Sequence, residues 1–129
     1  MTIVVGYVPT PEGEAVLARA GEEAKLHSED LLVVSSARGE SNISPEYTPT
    51  STLALLVADL KAAGVGVEVS HKEKTSDPAD AILGAIDEVG ASLVVVGLKK
   101  RSAVAKLMLG STAQTVLLKA NCSVLGVRV

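Results

Sequence analysis

Leu93-Val94-Val95-Val96-Gly97-Leu98-Lys99-Lys100-Arg101-Ser102, then Ala103–Leu109, then Gly110-Ser111-Thr112, is the stretch that decides the fold. Leu93–Val96 is a short, continuous apolar run, as expected of a parallel strand buried on both faces. Gly97 closes it. Gly110-Ser111-Thr112 opens a segment in which Ala113, Val116, Leu117 and Ala120 recur at i, i+3, i+4 and i+7, the apolar stripe of a helix. Strand, glycine-bearing loop and helix in that order make one unit of an alternating α/β chain.

The unit recurs on either side. Ile3–Tyr7, Leu31–Ser35, Val65–Val69 and Val124–Val129 are further short runs rich in Val, Ile and Leu. Helical stripes lie between them: Leu53, Leu56, Val57 and Leu60, then Ile82, Leu83, Ile86 and Val89. Thr10-Pro11-Glu12 supplies an N-cap hydroxyl, a proline at the first helical position and an acid in the first turn. Asp77-Pro78, with Asp80 close by, repeats the device, and Gly64 and Gly90 fall where the second and third helices end. Arg38 to Thr50 reads as a surface loop. The order β-α-β-α-β-α-β-α-β predicts an α/β fold: an open five-stranded parallel sheet with helices on both faces, in one domain over residues 1–129. Ligands of such sheets bind beyond the carboxyl ends of the strands, where strand order reverses. That places the candidate site among Val8–Pro11, Ser35–Gly39 and Gly97–Ser111.

Composition narrows the function. With 12 Lys and Arg against 15 Asp and Glu, the net charge is −3, which offers no electrostatic footprint for a DNA duplex or an anionic membrane. Aromatics are 2% of the chain, Tyr7 and Tyr47 alone, too few for the stacking platforms of single-stranded nucleic-acid binders. The longest clean apolar run, Leu53–Ala58, is far short of the ~20 residues of a membrane helix, and the N-terminus lacks the basic region and cleavage site of a signal peptide. A single cysteine, Cys122, fits a reduced, cytoplasmic protein in which it serves as a small buried hydrophobe. His27 and His71 read as solvated, and with Cys122 they offer no zinc-ligand spacing. No P-loop, nucleophile elbow or grouping of base, nucleophile and orienting residue is present.

The chemistry concentrates in the 97–112 loop. A glycine ahead of a helix lets a ligand approach the backbone, and the first amides of that helix have no partner within it. With the helix dipole and the hydroxyls of Ser111 and Thr112, this suits a phosphate. Lys99, Lys100, Arg101 and Lys106 add positive charge in an otherwise acidic chain. The alternative is a capped helix preceded by a solvated basic turn.

These residues resemble a family. Gly97, two residues, Lys100, nine residues, then Gly110-Ser111 is similar to the nucleotide motif of the universal stress protein domain: Gly, two residues, Gly, nine residues, Gly, then Ser or Thr. Leu107-Met108-Leu109-Gly110-Ser111 and the ending Asn121-Cys122-Ser123-Val124-Leu125-Gly126-Val127-Arg128 also fall in typical positions. The resemblance spans the chain. It implies a Rossmann-like sheet of the adenine nucleotide alpha hydrolase type, and a homodimer formed through the C-terminal strand. It also implies a small regulatory stress-response protein, not an enzyme, that holds ATP or another adenine nucleotide. The implied binding set is Gly97, Lys100, Gly110, Ser111 and Thr112, with Val8 and Val34 toward the ends of the first two strands.

Two positions depart from the pattern. Lys100 replaces the second motif glycine, and Val8 stands where ATP-binding members carry an acid that contacts the nucleotide. The family includes members that bind ATP and members that bind none. The alternative reading is therefore an interaction module with a vacant crevice. A phosphohydrolase is a third, opposed by the lack of a metal-holding carboxylate beside Gly97–Ser111.

Overall fold

The structure, a computed structural model, describes residues 1–36, 49–72, 77–98 and 110–129. Five strands alternate with four helices: β1 (Thr2–Tyr7), α1 (Pro11–His27), β2 (Asp30–Ser36), α2 (Pro49–Ala62), β3 (Val67–Lys72), α3 (Pro78–Val89), β4 (Leu93–Leu98), α4 (Ser111–Lys119) and β5 (Ser123–Arg128). All neighbouring strands pair in parallel, in the order β3-β2-β1-β4-β5. The fold expected from the apolar alternation is the fold observed.

The period-2 alternation of β1 divides the core into two layers. Ile3, Val5 and Tyr7 face Val16, Leu17 and Ala20 of α1 and Leu53 of α2. Val4 faces the opposite layer, built from Ile82 and Ile86 of α3 and Ala113 and Val116 of α4. Val4, Val5, Val94 and Val95 have no exposed surface at all, because helices cover both faces of the two central strands. Each such valine contributes on the order of 1.5–3 kcal/mol. α1 and α2 approach closely at Gly21, where a Cβ would run into the Leu60 side chain.

The helix boundaries follow local chemistry. Thr10 accepts a hydrogen bond from the Gly13 amide at 3.0 Å, and Asp77 accepts one from the Ala79 amide at 2.8 Å. Both caps are followed by proline, as the sequence predicts. Gly64 (φ 92°) and Gly90 (φ 61°) adopt the left-handed conformation that ends a helix. Ser28 does the same after α1 with φ 54°, a conformation that costs a residue with a Cβ more than it costs glycine.

Four expectations need correction. The third strand begins at Val67, two residues later than the apolar pattern suggests. Val65 belongs instead to the turn that ends α2. Its amide donates to the Leu60 carbonyl and the Gly64 amide donates to that of Lys61, while the Val65 side chain is buried over the helix end. Leu117, counted in the stripe of α4, is 53% exposed, because this short helix buries itself through Ala113 and Val116. Val89, the last residue of α3, is also largely exposed, and Cys122 is half-buried, not fully enclosed.

Candidate functional site

Strand order reverses between β1 and β4. Both lie at the centre of the sheet, and their crossover helices leave in opposite directions on opposite faces. A crevice is left open at their carboxyl ends. The structure places there a cavity of about 270 Å³, walled by the ends of β1 and β4 and the starts of α1, α3 and α4. Val8, Val34, Gly97, Gly110, Ser111 and Thr112 all line it. These residues come from four separate parts of the chain and share one cavity. Lys100, with Lys99, Arg101 and Lys106, lies outside the described residues, as does the side chain of His71.

Each lining residue has its own physical reason. Val34 is 2% exposed and sits in β2 beside Gly6 of β1, so it gives the crevice an apolar floor. Val8 follows β1 directly and is 45% exposed. Its carbonyl accepts a hydrogen bond from the Thr10 amide at 2.8 Å, the tight turn that sends the chain into α1. That turn presses α1 against the strand end so closely that a Cβ at Gly13 would meet the Val8 carbonyl oxygen. Val8 thus offers the crevice an apolar side chain and a carbonyl already engaged.

The two loop glycines differ. A Cβ on Gly97 would approach Cγ2 of Val16 to 2.9 Å, so glycine there lets α1 pack over the end of β4. Gly110 has φ −63° and ψ 158°, ordinary extended backbone, and no described atom lies within 4 Å of where its Cβ would be. Nothing within the described fold requires glycine at 110.

Gly110 is also the N-cap of α4, and it makes no side-chain cap. Its carbonyl accepts the Gln114 amide at 3.0 Å, which starts the helix. The amides of Ser111, Thr112 and Ala113 precede the first intrahelical bond, and among the described residues no side chain caps them. α1 and α3, which also open onto the crevice, spend cap oxygens of their own on their first turns.

Glu12, Gly13, Pro78 and Ile82 line the crevice too, though they fall outside the three loops that the sequence pattern assigns to it. The signal for them lies in the capping motifs. In a parallel sheet every helix that follows a strand starts at the same end, so Thr10-Pro11-Glu12 and Asp77-Pro78 mark residues at the crevice as well as helix starts. Val129 joins them from beyond β5.

Elsewhere, His27 contacts Glu23 at 3.1 Å on the exposed face of α1. Cys122 precedes β5 and therefore lies at the opposite end of the sheet from the crevice. Burial pushes its thiol pKa up, and the Asp87 carboxylate adds to the shift. Among the described residues, no three of His, Cys, Asp and Glu gather to hold a metal, and no helix is long and apolar enough to cross a membrane.

An open parallel α/β sheet with a crevice at its switch point, walled by the start of α4 and apolar side chains, defines a Rossmann-like α/β architecture. The family follows from the whole sequence. The model of the universal stress protein family matches residues 1–128, and the chain belongs to that family. A universal stress protein of Mycolicibacterium smegmatis is 34% identical over 126 residues, covering 98% of this chain and 96% of the relative. A universal stress protein structure from Archaeoglobus fulgidus superposes with a TM-score of 0.77 at 35% identity, over 98% of this chain and 97% of that one. A structure of the universal stress protein from the same organism in complex with dAMP superposes at 0.71, with 31% identity, over 98% of this chain and 96% of that one.

Proposed function

We propose that this chain is a non-catalytic regulatory protein that holds an adenine nucleotide in the β1–β4 crevice. The observation that carries the reading is the start of α4. Ser111, Thr112 and Ala113 present uncapped amides to a cavity that already contains the switch point of the sheet. Backbone amides at a helix start bind a phosphate without help from any particular side chain. The apolar surfaces of Val8, Val34, Ile82 and Val96 suit the base of the nucleotide. The dAMP complex of the Archaeoglobus fulgidus relative supports the same ligand class. The residues that would hold the phosphate are Gly110, Ser111 and Thr112, with Lys100 adding charge from the adjoining loop.

The experiment is a titration with AMP, ATP and inorganic phosphate, following the Ser111 and Thr112 amides by NMR at two salt concentrations. The expected result is movement of both amides at millimolar ligand or below, weakening as salt rises, since exposed charges are screened over ~8 Å at physiological ionic strength. Amides that stay fixed with all three ligands overturn the reading. They favour instead an interaction module with an empty crevice, to which the apolar Val8 side chain also points.

The same reading makes the protein a cytoplasmic homodimer joined through β5. β5 is an edge strand whose apolar residues Val124, Leu125 and Val127 are only half-buried, with Arg128 its single charge. The other edge, β3, carries Glu68 and Lys72 and is blunted against pairing. A two-fold contact along β5 would set these apolar residues against their counterparts. Light scattering at micromolar concentration should give a dimer, weakened by Leu125→Asp. A monomer for the unmutated chain overturns this part.

A further inference from the structure

Among the described residues that line the crevice, Glu12 is the one with a carboxylate side chain. It stands in the first turn of α1, on the sheet face opposite α4, so the cavity has helix amides on one lip and an acid on the other. Its side chain is exposed, and no ion pair ties it to a neighbour among the described residues. The rest of that lip has no polar side chain to offer a ligand. Val8 is apolar with its carbonyl engaged by Thr10, Gly13 has no side chain, and the Thr10 hydroxyl oxygen is bonded to the Gly13 amide.

We propose that Glu12 selects the sugar of the bound nucleotide by accepting hydrogen bonds from the two vicinal hydroxyls of a ribose. The inference rests on the nucleotide reading above and adds to it. A flat, apolar base belongs in the deep part of the cavity beside Tyr7, Val34 and Ile82, each at most 4% exposed. The phosphate belongs on the amides of α4. The sugar that joins them then crosses the rim, where Glu12 stands. A carboxylate has two oxygens and donates nothing when ionised, so it matches a pair of adjacent hydroxyl donors. Hydrogen bonds to a charged acceptor are about twice as strong as neutral ones. Glu12 therefore supplies, from α1, an acidic contact that Val8 cannot make from the end of β1.

The test is calorimetry of the full chain with AMP and with 2′-deoxy-AMP, repeated on Glu12→Gln and Glu12→Ala. The parent should bind AMP about tenfold or more tightly than the deoxy form, the worth of one hydrogen bond to a charged group. Glu12→Gln should shrink that ratio and Glu12→Ala should bring it close to one. Inorganic phosphate should bind both variants no more weakly than it binds the parent, because a negative charge has left the crevice. Equal affinity of the parent for the two nucleotides, or a preference that survives in Glu12→Ala, overturns the role of Glu12 and leaves the nucleotide reading standing. Failure of the parent to bind either nucleotide overturns both.

Discussion

Gly110→Asp separates the needs of the fold from the needs of a ligand. The position has extended backbone, φ −63° and ψ 158°, which is the geometry an N-cap residue adopts, and no described atom lies near the place of its Cβ. An aspartate there can turn its carboxylate onto the amide of Thr112 or Ala113. The gain over glycine as a cap is a few tenths of a kcal/mol. Restricting the unfolded chain adds about 0.4–1 kcal/mol, and the charge at the helix start about 0.3–1 kcal/mol. Together these raise stability by about 1.5 kcal/mol, or roughly 4–8 °C in Tm for a chain of this size. The same carboxylate occupies the amides that a phosphate would use and repels it. Two unit charges about 5 Å apart at an effective dielectric constant of about 20 interact by about 3 kcal/mol before solvent screening. After screening, at least a tenfold loss of AMP affinity is expected. Gly110→Asn should gain less stability and lose less affinity, since it competes for the amides without the charge. Thermal melting and calorimetry on the same samples read both quantities. An aspartate variant that is more stable yet binds AMP as the parent does would show that the phosphate does not lie on α4. One that is less stable would refute the open, extended geometry at 110.

Three further outcomes follow from local geometry. Gly13→Ala should cost about 3 kcal/mol in urea denaturation, because the new methyl meets the Val8 carbonyl, which the turn to Thr10 holds in place; a loss below about 1 kcal/mol contradicts this. Ser28→Gly should raise stability by about 1 kcal/mol in the same assay by relieving the left-handed backbone at the end of α1, and an unchanged midpoint denies that strain. Cys122 should be alkylated more slowly than the unfolded chain at pH 8, and its rate should reach half-maximum at higher pH. Its raised pKa keeps the thiol protonated in the folded state, so the unfolded chain ionises first and folding stability falls as pH rises through the ordinary thiol range; equal pH profiles for the two states contradict the shift.

The central strands were legible because burial on both faces leaves no polar position in their middles. Leu31–Val34 and Leu93–Val96 read as strands with no help from their neighbours. β3 was less legible because an apolar residue has two uses near a helix end. Val65 covers the last turn of α2, and only the left-handed Gly64 beside it tells that use from the first residue of a strand. The crevice was legible where it is made by strand ends and by the start of α4, which is how Val8, Val34, Gly97, Gly110, Ser111 and Thr112 come to share one cavity. Glu12, Pro78 and Ile82 were not, because their place there depends on strand order. Alternation predicts that the strands are parallel, but many orders satisfy it. Only β2-β1-β4 sets the starts of α1 and α3 on either side of the same opening.

The glycines at 97 and 110 belong to one spacing in the sequence, yet different forces hold them. At Gly97 the constraint is internal, since Val16 of α1 lies 2.9 Å from the place a Cβ would take. Valine is branched at Cβ and stiff, so it cannot swing aside, and any larger residue at 97 pushes α1 off the sheet. A chain of this fold keeps that glycine whether or not it binds anything. At Gly110 no such constraint acts within the described fold, and serine, aspartate or asparagine would make a better helix start. A residue that forgoes available stability, at a position that opens onto a cavity, points to something beyond the described residues that uses that space and those amides. Of the two, Gly97 therefore speaks for the architecture, and it is Gly110 that bears on the ligand.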